Sequence, residues 1–420
     1  MKTPWIPEGQ LARALERNEA FWRNELDGGP LLWVTAPDAR TGPVPPEPAA
    51  EEELWTDPGY VVASAESVLS RTHHSGDALP VFCPWLGPDQ FAGWLGAELR
   101  LRPRDSTSWS EPFVADWSEH GEFGIDPENR WWKLYLRILR ESVRAGRDRW
   151  ITGYPDLHSG IDALSAARGP ENLAVDLLRD PEAVRRAMAR MTELWKQVVD
   201  EVSGIVLPAG QGTSNWTMGW SASRFLCIGQ NDFACMIGRE MFEEFCLRDT
   251  VECCEHADVS IYHLDGPGAV RHVPALIRIE KLSCIQWIQG AGRPLPSKWI
   301  PLLREIQEGG KSVQVYYGGS HGGDADLEAE ADALCAALDP DRLFIWAEVG
   351  SAEEAEAVVA HARRAGRRGR GRGQSRSRRR SLGRSRADRR GRSRSRRSAP
   401  GRGAGGGAGK GGKDPGGTEP

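Results

Sequence analysis

From residue 131 onward the chain alternates between short apolar runs and longer segments in which apolar residues follow helical spacing, and one earlier apolar run lies at residues 80–83. Continuous apolar runs, often β-branched, predict strands that are buried on both faces. The predicted strands cover residues 80–83, 149–154, 224–228, 259–263, 282–288, 312–317 and 342–347. The predicted helices cover residues 131–146, 181–202, 240–256, 269–279, 297–308, 326–338 and 352–364. Alternation at roughly 25–35 residues per unit is typical of βαβ units and a parallel sheet.

This order of elements predicts an α/β fold, and a (β/α)8 TIM barrel fits it best. A doubly wound open sheet is the alternative, although no G-x-G-x-x-G motif opens a helix after a strand to support a dinucleotide site. Residues 1–60 join a short helical pattern to a Pro-rich stretch, so we expect an N-terminal extension wrapped on the main fold. The barrel itself is predicted for residues 61–362.

Residues 363–420 differ sharply in composition from the rest of the chain. They contain 21 basic and 3 acidic residues, and Leu382 is their only large apolar side chain. Such a segment cannot bury a core, which predicts a disordered basic C-terminal tail. It is either an Arg-Ser segment that binds RNA or is phosphorylated, or non-native sequence of the kind that a reading-frame error produces. The remaining chain has 33 basic and 56 acidic residues, which argues against nucleic-acid binding by the folded body.

Other features of composition indicate a cytoplasmic protein. The N-terminus lacks the apolar region of a signal peptide, and no apolar run approaches the ~20 residues that cross a membrane. The eight cysteines have no framework spacing and form no CxxC pair. They are therefore expected to be reduced thiols, and a structural zinc site made of cysteines is not expected.

The segment from Ile261 to Gly268 carries the strongest chemical signal. His263 and Asp265 lie two residues apart at the end of a predicted strand, and Gly266-Pro267-Gly268 follows them. Side chains at i and i+2 of a strand point to the same face. An imidazole and a carboxylate placed side by side can share a metal ion or transfer a proton. The alternative is a packed histidine whose ring is hydrogen-bonded to Asp265.

Polar residues also follow other predicted strands, and in a (β/α)8 barrel the active site lies at the carboxyl ends of the strands. The metal is predicted to be zinc or another divalent ion, held by His263, Asp265 and Glu348, with His321 in reserve. Catalytic roles are predicted for Asp89, Asp156 and Asp232. Substrate-binding roles are predicted for residues at the same rim, namely His158, Gln230, Tyr262, Gln286 and Trp287.

Several segments resemble the uroporphyrinogen decarboxylase superfamily. These segments are Asp156–Leu164, Gly238–Phe245, Tyr262–Gly266 with Ile285–Trp287, and Gly290–Gly292 leading into Trp299–Leu303. The resemblance covers roughly residues 60–362 and implies a (β/α)8 barrel. It implies either decarboxylation of uroporphyrinogen or zinc-dependent methyl transfer between a corrinoid and a thiol. The methyltransferase branch carries H-x-C with a later Cys, where this chain has His263, Asp265 and then Glu348. The R-Q-A-G-R motif of the decarboxylase branch is absent.

On this basis, the leading expectation is a metal-assisted methyltransferase of the corrinoid-linked type, with a corrinoid as methyl carrier and a corrinoid protein as partner. The alternative enzyme is a decarboxylase that acts on uroporphyrinogen or a related carboxylated tetrapyrrole. In that case Asp89, Asp156 or Asp232 would bind pyrrole N–H groups. A third expectation is a non-catalytic tetrapyrrole-binding protein. Each of these proteins binds a small molecule or a tetrapyrrole, and no membrane partner is expected.

Overall fold

A computed structural model describes residues 1–40, 42, 44–158, 160–229 and 231–369 of the chain. The predicted basic tail therefore lies outside the described residues from residue 370 onward, and so does Gln230. Among the described helices, none combines the length and the apolar character that a bilayer span requires. All eight cysteines are described, and each is a free thiol.

The strands of the described chain are β1 (Leu31–Pro37), β2 (Thr72–Gly76), β3 (Val81–Phe82), β4 (Leu99–Arg102), β5 (Thr107–Ser110), β6 (Ile151–Thr152), β7 (Phe225–Ile228), β8 (Val259–Asp265), β9 (Cys284–Ile288), β10 (Ser312–Tyr317) and β11 (Leu343–Glu348). The seven strands predicted from the apolar runs are thus confirmed as β3 and β6 to β11. The hairpin of β4 and β5 and the strands β1 and β2 were not predicted.

The α-helices are α1 (Glu8–Trp22), α2 (Glu53–Thr56), α3 (Pro58–Ser70), α4 (Gln90–Trp94), α5 (Arg130–Ala145), α6 (Gly160–Arg168), α7 (Pro170–Arg179), α8 (Pro181–Val206), α9 (Arg239–Met241), α10 (Leu247–His256), α11 (Gly266–Ala269), α12 (Val273–Leu276), α13 (Ile300–Glu308) and α14 (Leu327–Ala337). A π-helical turn at Phe242–Cys246 joins α9 to α10, and residues 352–369 are also helical.

The central sheet has seven strands in the order β2-β1-β11-β10-β9-β8-β7. Only β2 runs antiparallel to its neighbour, while β3 and β6 form a separate parallel pair. The fold is therefore mixed α/β with a mostly parallel sheet, as the strand–helix alternation predicts. In the described residues β6 forms no ladder with β7, and an isolated parallel bridge joins Tyr154, just after β6, to Asn215, ten residues before β7. Closure into an eight-stranded barrel stays a prediction.

Each strand of the sheet buries both of its faces, which explains the continuous apolar runs. One face packs against the helices in the main core cluster and includes Val34, Leu226, Val315 and Ile345. Near the start of the strands, the opposite face packs against the end of α1, where Phe21 and Trp22 contact Phe344. Further along the strands this second face carries polar side chains, and we call it the site face. Its members are Cys227, His263, Asp265, Gln286 and Gln314, as the strand registers require.

The N-terminal segment provides a strand of the sheet and is more than a wrapped extension. Strand β1 lies between β2 and β11 and pairs with β11 in parallel, from Leu31 opposite Phe344 to Thr35 opposite Glu348. Residues 1–60 were predicted to be an extension from their helical pattern and Pro-rich stretch, and the pairing of β1 left no local signal because its partner lies at the far end of the chain. The division at residue 60 stays a prediction, but this strand belongs to the main sheet.

The helix at residues 352–369 continues beyond residue 363, where the sequence predicted the start of the tail. Ala362 and Ala365 are buried, and the guanidinium of Arg363 lies 3.4 Å from the buried carboxylate of Asp77. At Gly366 the helix approaches Gly29 so closely that a Cβ atom would lie 2.5 Å from the Gly29 Cα. Residues 363–369 therefore pack on the fold, although their composition resembles that of the tail.

Candidate functional site

Histidine and aspartate side chains gather where β6, β7 and β8 end. Two groups of three have ligand atoms that lie within 4.8 Å of one another: His158, Asp162 and Asp232, and Asp232, His263 and Asp265. Asp232 belongs to both groups. The carboxyl ends of neighbouring parallel strands meet at one edge of a sheet, which explains why Asp232, after β7, meets His263 and Asp265 at the end of β8.

His263 is held by a row of amide side chains on the site face. Its Nδ1 lies 2.6 Å from Oε1 of Gln286, and Nε2 of Gln286 donates to Oε1 of Gln314 at 2.6 Å. Nε2 of Gln314 then donates to the carbonyl oxygen of Thr217 at 2.7 Å. These contacts leave Nε2 of His263 as the ring nitrogen available to the carboxylates of the second group.

Asp232 is positioned by Asp162, a residue that the sequence analysis did not select. Asp232 begins a 3-10 helix, Asp232–Met236, directly after β7. The carboxylate of Asp162 accepts hydrogen bonds from the backbone N–H groups of Asp232 and Phe233, at 3.0 and 2.9 Å. These are donors that a helix start leaves without a partner inside the helix. Asp162 therefore fixes the loop that presents Asp232.

His158 forms an ion pair inside the same cluster. Its Nε2 lies 3.2 Å from Oδ2 of Asp156, and both side chains are largely buried. Burial alone would lower the pKa of His158. The carboxylates of Asp156, Asp162 and Asp232 outweigh that effect and raise the pKa to about 10. His158 is therefore an imidazolium at neutral pH, and its charge offsets part of the negative charge of the cluster.

The pKa of Asp232 is raised to about 7. Asp232 is exposed to the pocket, but surrounding protein atoms remove part of its solvation, and the carboxylate of Asp162 adds repulsion. Burial also raises the pKa of Asp162, and desolvation lowers the pKa of His263. At neutral pH the site thus offers a neutral imidazole beside a carboxyl group that is close to its titration point.

A pocket of about 400 Å³ opens beside the first group. Asp89, His158, Asp162 and Asp232 line it together with apolar side chains such as Met236. Its volume falls in the range of about 300–1,000 Å³ that is common for small-molecule sites. The carboxylate of Asp89 accepts hydrogen bonds from the backbone N–H and the hydroxyl of Ser110, at 2.7 and 3.0 Å, so the β4–β5 hairpin fixes its orientation.

The second group has the donor chemistry of a divalent metal site. One imidazole nitrogen and two carboxylates suit zinc, iron(II) and manganese, and leave coordination positions open for a substrate. The first group fits a metal less well, because both oxygens of Asp162 accept backbone hydrogen bonds and His158 carries a proton. A metal at this site would therefore be held by Asp232, His263 and Asp265.

The structure brings together most of the predicted site residues. Asp89, Asp156, His158 and Asp232 lie around the pocket or its ion pair, and His263 and Asp265 form a group with Asp232. These positions test neither the catalytic roles nor the metal, which stay predictions.

Three predicted residues lie elsewhere. In the described chain, Glu348 belongs to neither of the two groups that could hold a metal ion, and it lines a different pocket, near Arg71 and Thr72. Tyr262 and Trp287 are buried in the main core cluster, where the Trp287 ring packs 4.9 Å from that of Trp299. Their placement follows from strand alternation, since the neighbours His263 and Gln286 occupy the site face. Gln230 lies outside the described residues.

Gln286 faces the site as predicted, but its amide contacts His263 and Gln314. Gln314 and Asp162 were not among the predicted site residues. Gln314 could have been found from the alternation of β10, because an amide inside an apolar strand needs a buried partner. Asp162 offered a weaker signal, its position in the first turn of α6, four residues after His158.

Comparison with known proteins supports the fold. No family model matches this chain, and no curated protein matches it. Among solved structures, a methyltransferase from Methanosarcina mazei is similar, with a TM-score of 0.53 and 11% sequence identity. The match covers 83% of this chain and 98% of the other. At this level of identity the similarity shows a common fold and leaves the activity to be argued from the site.

Proposed function

We propose that this protein is a metal-assisted methyltransferase of the uroporphyrinogen decarboxylase superfamily, built on a (β/α)8 barrel. The observation that carries the proposal is the convergence of Asp232, His263 and Asp265 at the carboxyl ends of parallel strands. The fold shared with a methyltransferase supports it, as does the sequence resemblance. The corrinoid is proposed as the methyl carrier, delivered by a corrinoid protein, and the reaction is proposed to take place in the cytoplasm.

Each residue of the cluster would have a separate role. Nε2 of His263 and the carboxylates of Asp232 and Asp265 would hold the metal, with Asp265 replacing the expected cysteine and Asp232 taking the place predicted for Glu348. When bound, the metal would lower the pKa of the methyl acceptor. Asp162 holds the Asp232 loop in place, and the His158–Asp156 pair keeps a positive charge beside the pocket.

The pocket beside the cluster indicates how the acceptor would bind. Its volume of about 400 Å³ accommodates a small molecule, and its wall combines Asp89 and His158 with apolar atoms of Phe233 and Met236. An acceptor seated there would have its polar end near Asp232, because Asp232 lies both in the pocket wall and in the proposed metal site. We therefore place the transferred methyl group at the Asp232 side of the pocket.

The test begins with elemental analysis of protein purified without chelator, which should find about one divalent metal per chain. Methylcobalamin is then supplied as the methyl donor with a panel of small thiols and phenols, and loss of the methyl–cobalt absorbance is followed. His263→Ala should abolish both metal uptake and turnover. Glu348→Gln is the matched control, because it removes a strand-end carboxylate outside the cluster, and it should keep the metal. Wild-type protein that takes up no metal at saturating zinc would refute the proposal.

Decarboxylation of a carboxylated tetrapyrrole is the second candidate, and one observation favours it. With a pKa of about 7, Asp232 can carry a proton at neutral pH and deliver it to a developing carbanion, next to the positive charge of His158. Turnover of a porphyrinogen that survives exhaustive chelation would support this activity and exclude the metal-assisted reaction. Tetrapyrrole binding without turnover under either condition would instead identify a non-catalytic binding protein.

A further inference from the structure

Three polar side chains form one row across the site face. His263, Gln286 and Gln314 are direct neighbours in the registers of β8, β9 and β10. Both glutamines are fully buried, and each of the two links between the three side chains is 2.6 Å long. Buried amides inside a strand are costly unless their groups are paired, so a row of two requires a fixed pattern of donors and acceptors.

The direction of this row is set at its far end. The carbonyl oxygen of Thr217 can only accept, so the Gln314 atom 2.7 Å away must be the donating NH2 group. Oε1 of Gln314 then accepts from the NH2 group of Gln286, and this places Oε1 of Gln286 against His263. Because that oxygen can only accept, Nδ1 of His263 must carry a hydrogen. The neutral ring therefore has its lone pair on Nε2.

The far end of the row is itself held rigidly. Oδ1 of Asn215 accepts hydrogen bonds from the backbone N–H and the hydroxyl of Thr217, at 2.9 and 2.6 Å. Nδ2 of Asn215 donates to the carbonyl oxygen of Phe225, at the start of β7. The peptide group that carries the Thr217 carbonyl is held as well, because the N–H of Met218 donates to the carbonyl oxygen of Asn215 at 2.9 Å. The orientation of this carbonyl is therefore fixed and is passed along the row to His263.

We propose that Gln286 and Gln314 are positioning residues that fix the Nδ1–H tautomer of His263 and so present Nε2 as a ligand before any metal arrives. The inference rests on the proposed function for the role of His263, and it goes further by assigning a positioning role to two residues that are not among the proposed metal ligands. Gln286 acts directly through its hydrogen bond, and Gln314 acts by fixing which end of the Gln286 amide faces the ring.

The test reads the tautomer directly in metal-free protein. Long-range proton–nitrogen correlation spectra of protein labelled with ¹⁵N in its imidazole rings distinguish the two tautomers, and His263→Asn assigns the signal. Wild type should show Nδ1–H. Gln286→Leu removes the acceptor, so the Nε2–H tautomer should become populated. Zinc affinity should fall about 10–100-fold, as is typical when the partner of a ligating histidine is lost.

Gln314→Leu removes a buried amide of the same size and leaves Gln286 in place, but frees its amide to turn either end toward His263. It should therefore show both tautomers, with Nδ1–H more populated than in Gln286→Leu, and lose less zinc affinity than Gln286→Leu. Gln286→Glu restores an acceptor and should recover the tautomer.

An Nε2–H signal from His263 in the wild type would overturn the inference, and this measurement needs a variant only to assign the signal. Unchanged tautomer and zinc affinity in a folded Gln286→Leu protein would overturn it as well. If the protein transfers no methyl group, the results on the tautomer and on zinc affinity still stand, and only the proposed function is contradicted.

Discussion

Metal binding should weaken sharply between pH 8 and pH 6, and Asp232 is the reason. A metal-bound carboxylate must be ionised, so protons compete with the metal for Asp232. Its pKa of about 7 lies in the middle of this range. Desolvation lowers the pKa of His263 and so reduces the competition between protons and the metal at that ring, while His158, with a pKa of about 10, stays protonated.

The size of the effect follows from the pKa of Asp232. About nine tenths of the carboxyl groups are ionised at pH 8 and about one tenth at pH 6, so the apparent affinity should fall about tenfold, or ~1.4 kcal/mol. The number of protons released on binding should rise from about 0.1 at pH 8 to about 0.9 at pH 6.

Calorimetric titration with zinc or manganese measures both quantities, when it is repeated at each pH in two buffers of different ionisation enthalpy. Asp232→Asn should bind the metal weakly and without this proton release, because an amide does not titrate. An affinity that stays flat from pH 6 to pH 8 in the wild type, with no proton released at pH 6, would show that Asp232 is not a ligand.

Three further outcomes are expected. The pKa of Asp232 in the folded protein lies above its ordinary value, so ionisation of Asp232 destabilises the metal-free protein as the pH rises from about 4 to 7. Asp232→Asn should therefore raise the melting temperature by on the order of 1–3 °C at pH 8 and by less at pH 5. Truncation after Gly369 should leave the melting temperature within about 3 °C of that of the full chain. Truncation after Ala362 should lower the melting temperature by about 5 °C or more, because it removes the Arg363–Asp77 ion pair and the buried Ala365. Trp287→Ala should lower the free energy of unfolding by about 3–5 kcal/mol in denaturant titrations but leave the metal affinity of the folded protein within about threefold of the wild type, because Trp287 is buried in the core. A larger loss of metal affinity would instead indicate a residue that acts at the metal site.

The sequence predicted the C-terminal half of the fold well because the signal there is local. Each strand from β7 to β11 is an apolar run followed by a helix, and the predicted bounds differ from the observed ones by a few residues at most. Strand β1 has an equally apolar sequence, but its parallel partner β11 lies more than three hundred residues away. Spacing along the chain carries no signal for that pairing.

The candidate site shows the same division. The pair of His263 and Asp265 follows from the two-residue repeat of a single strand. The choice of a third metal ligand depends on the order of strands in the sheet, which the sequence leaves open. Strand β7, which presents Asp232, is the direct neighbour of β8, whereas β11 and Glu348 lie three places away. Proximity in the sheet therefore favours Asp232, where position along the chain had suggested Glu348.

The pairing of β1 with β11 has a consequence for biosynthesis. At about 5–20 residues per second, β1 is made roughly 15–60 s before β11 exists. During that interval β2 can cover one edge of β1, while the other edge exposes the backbone of an apolar strand that includes Leu32 and Trp33. Open apolar edges recruit other chains. The nascent protein is therefore most vulnerable to aggregation while its last strand is still being translated, and cells that hold unfinished chains apart should give the highest yield of folded protein.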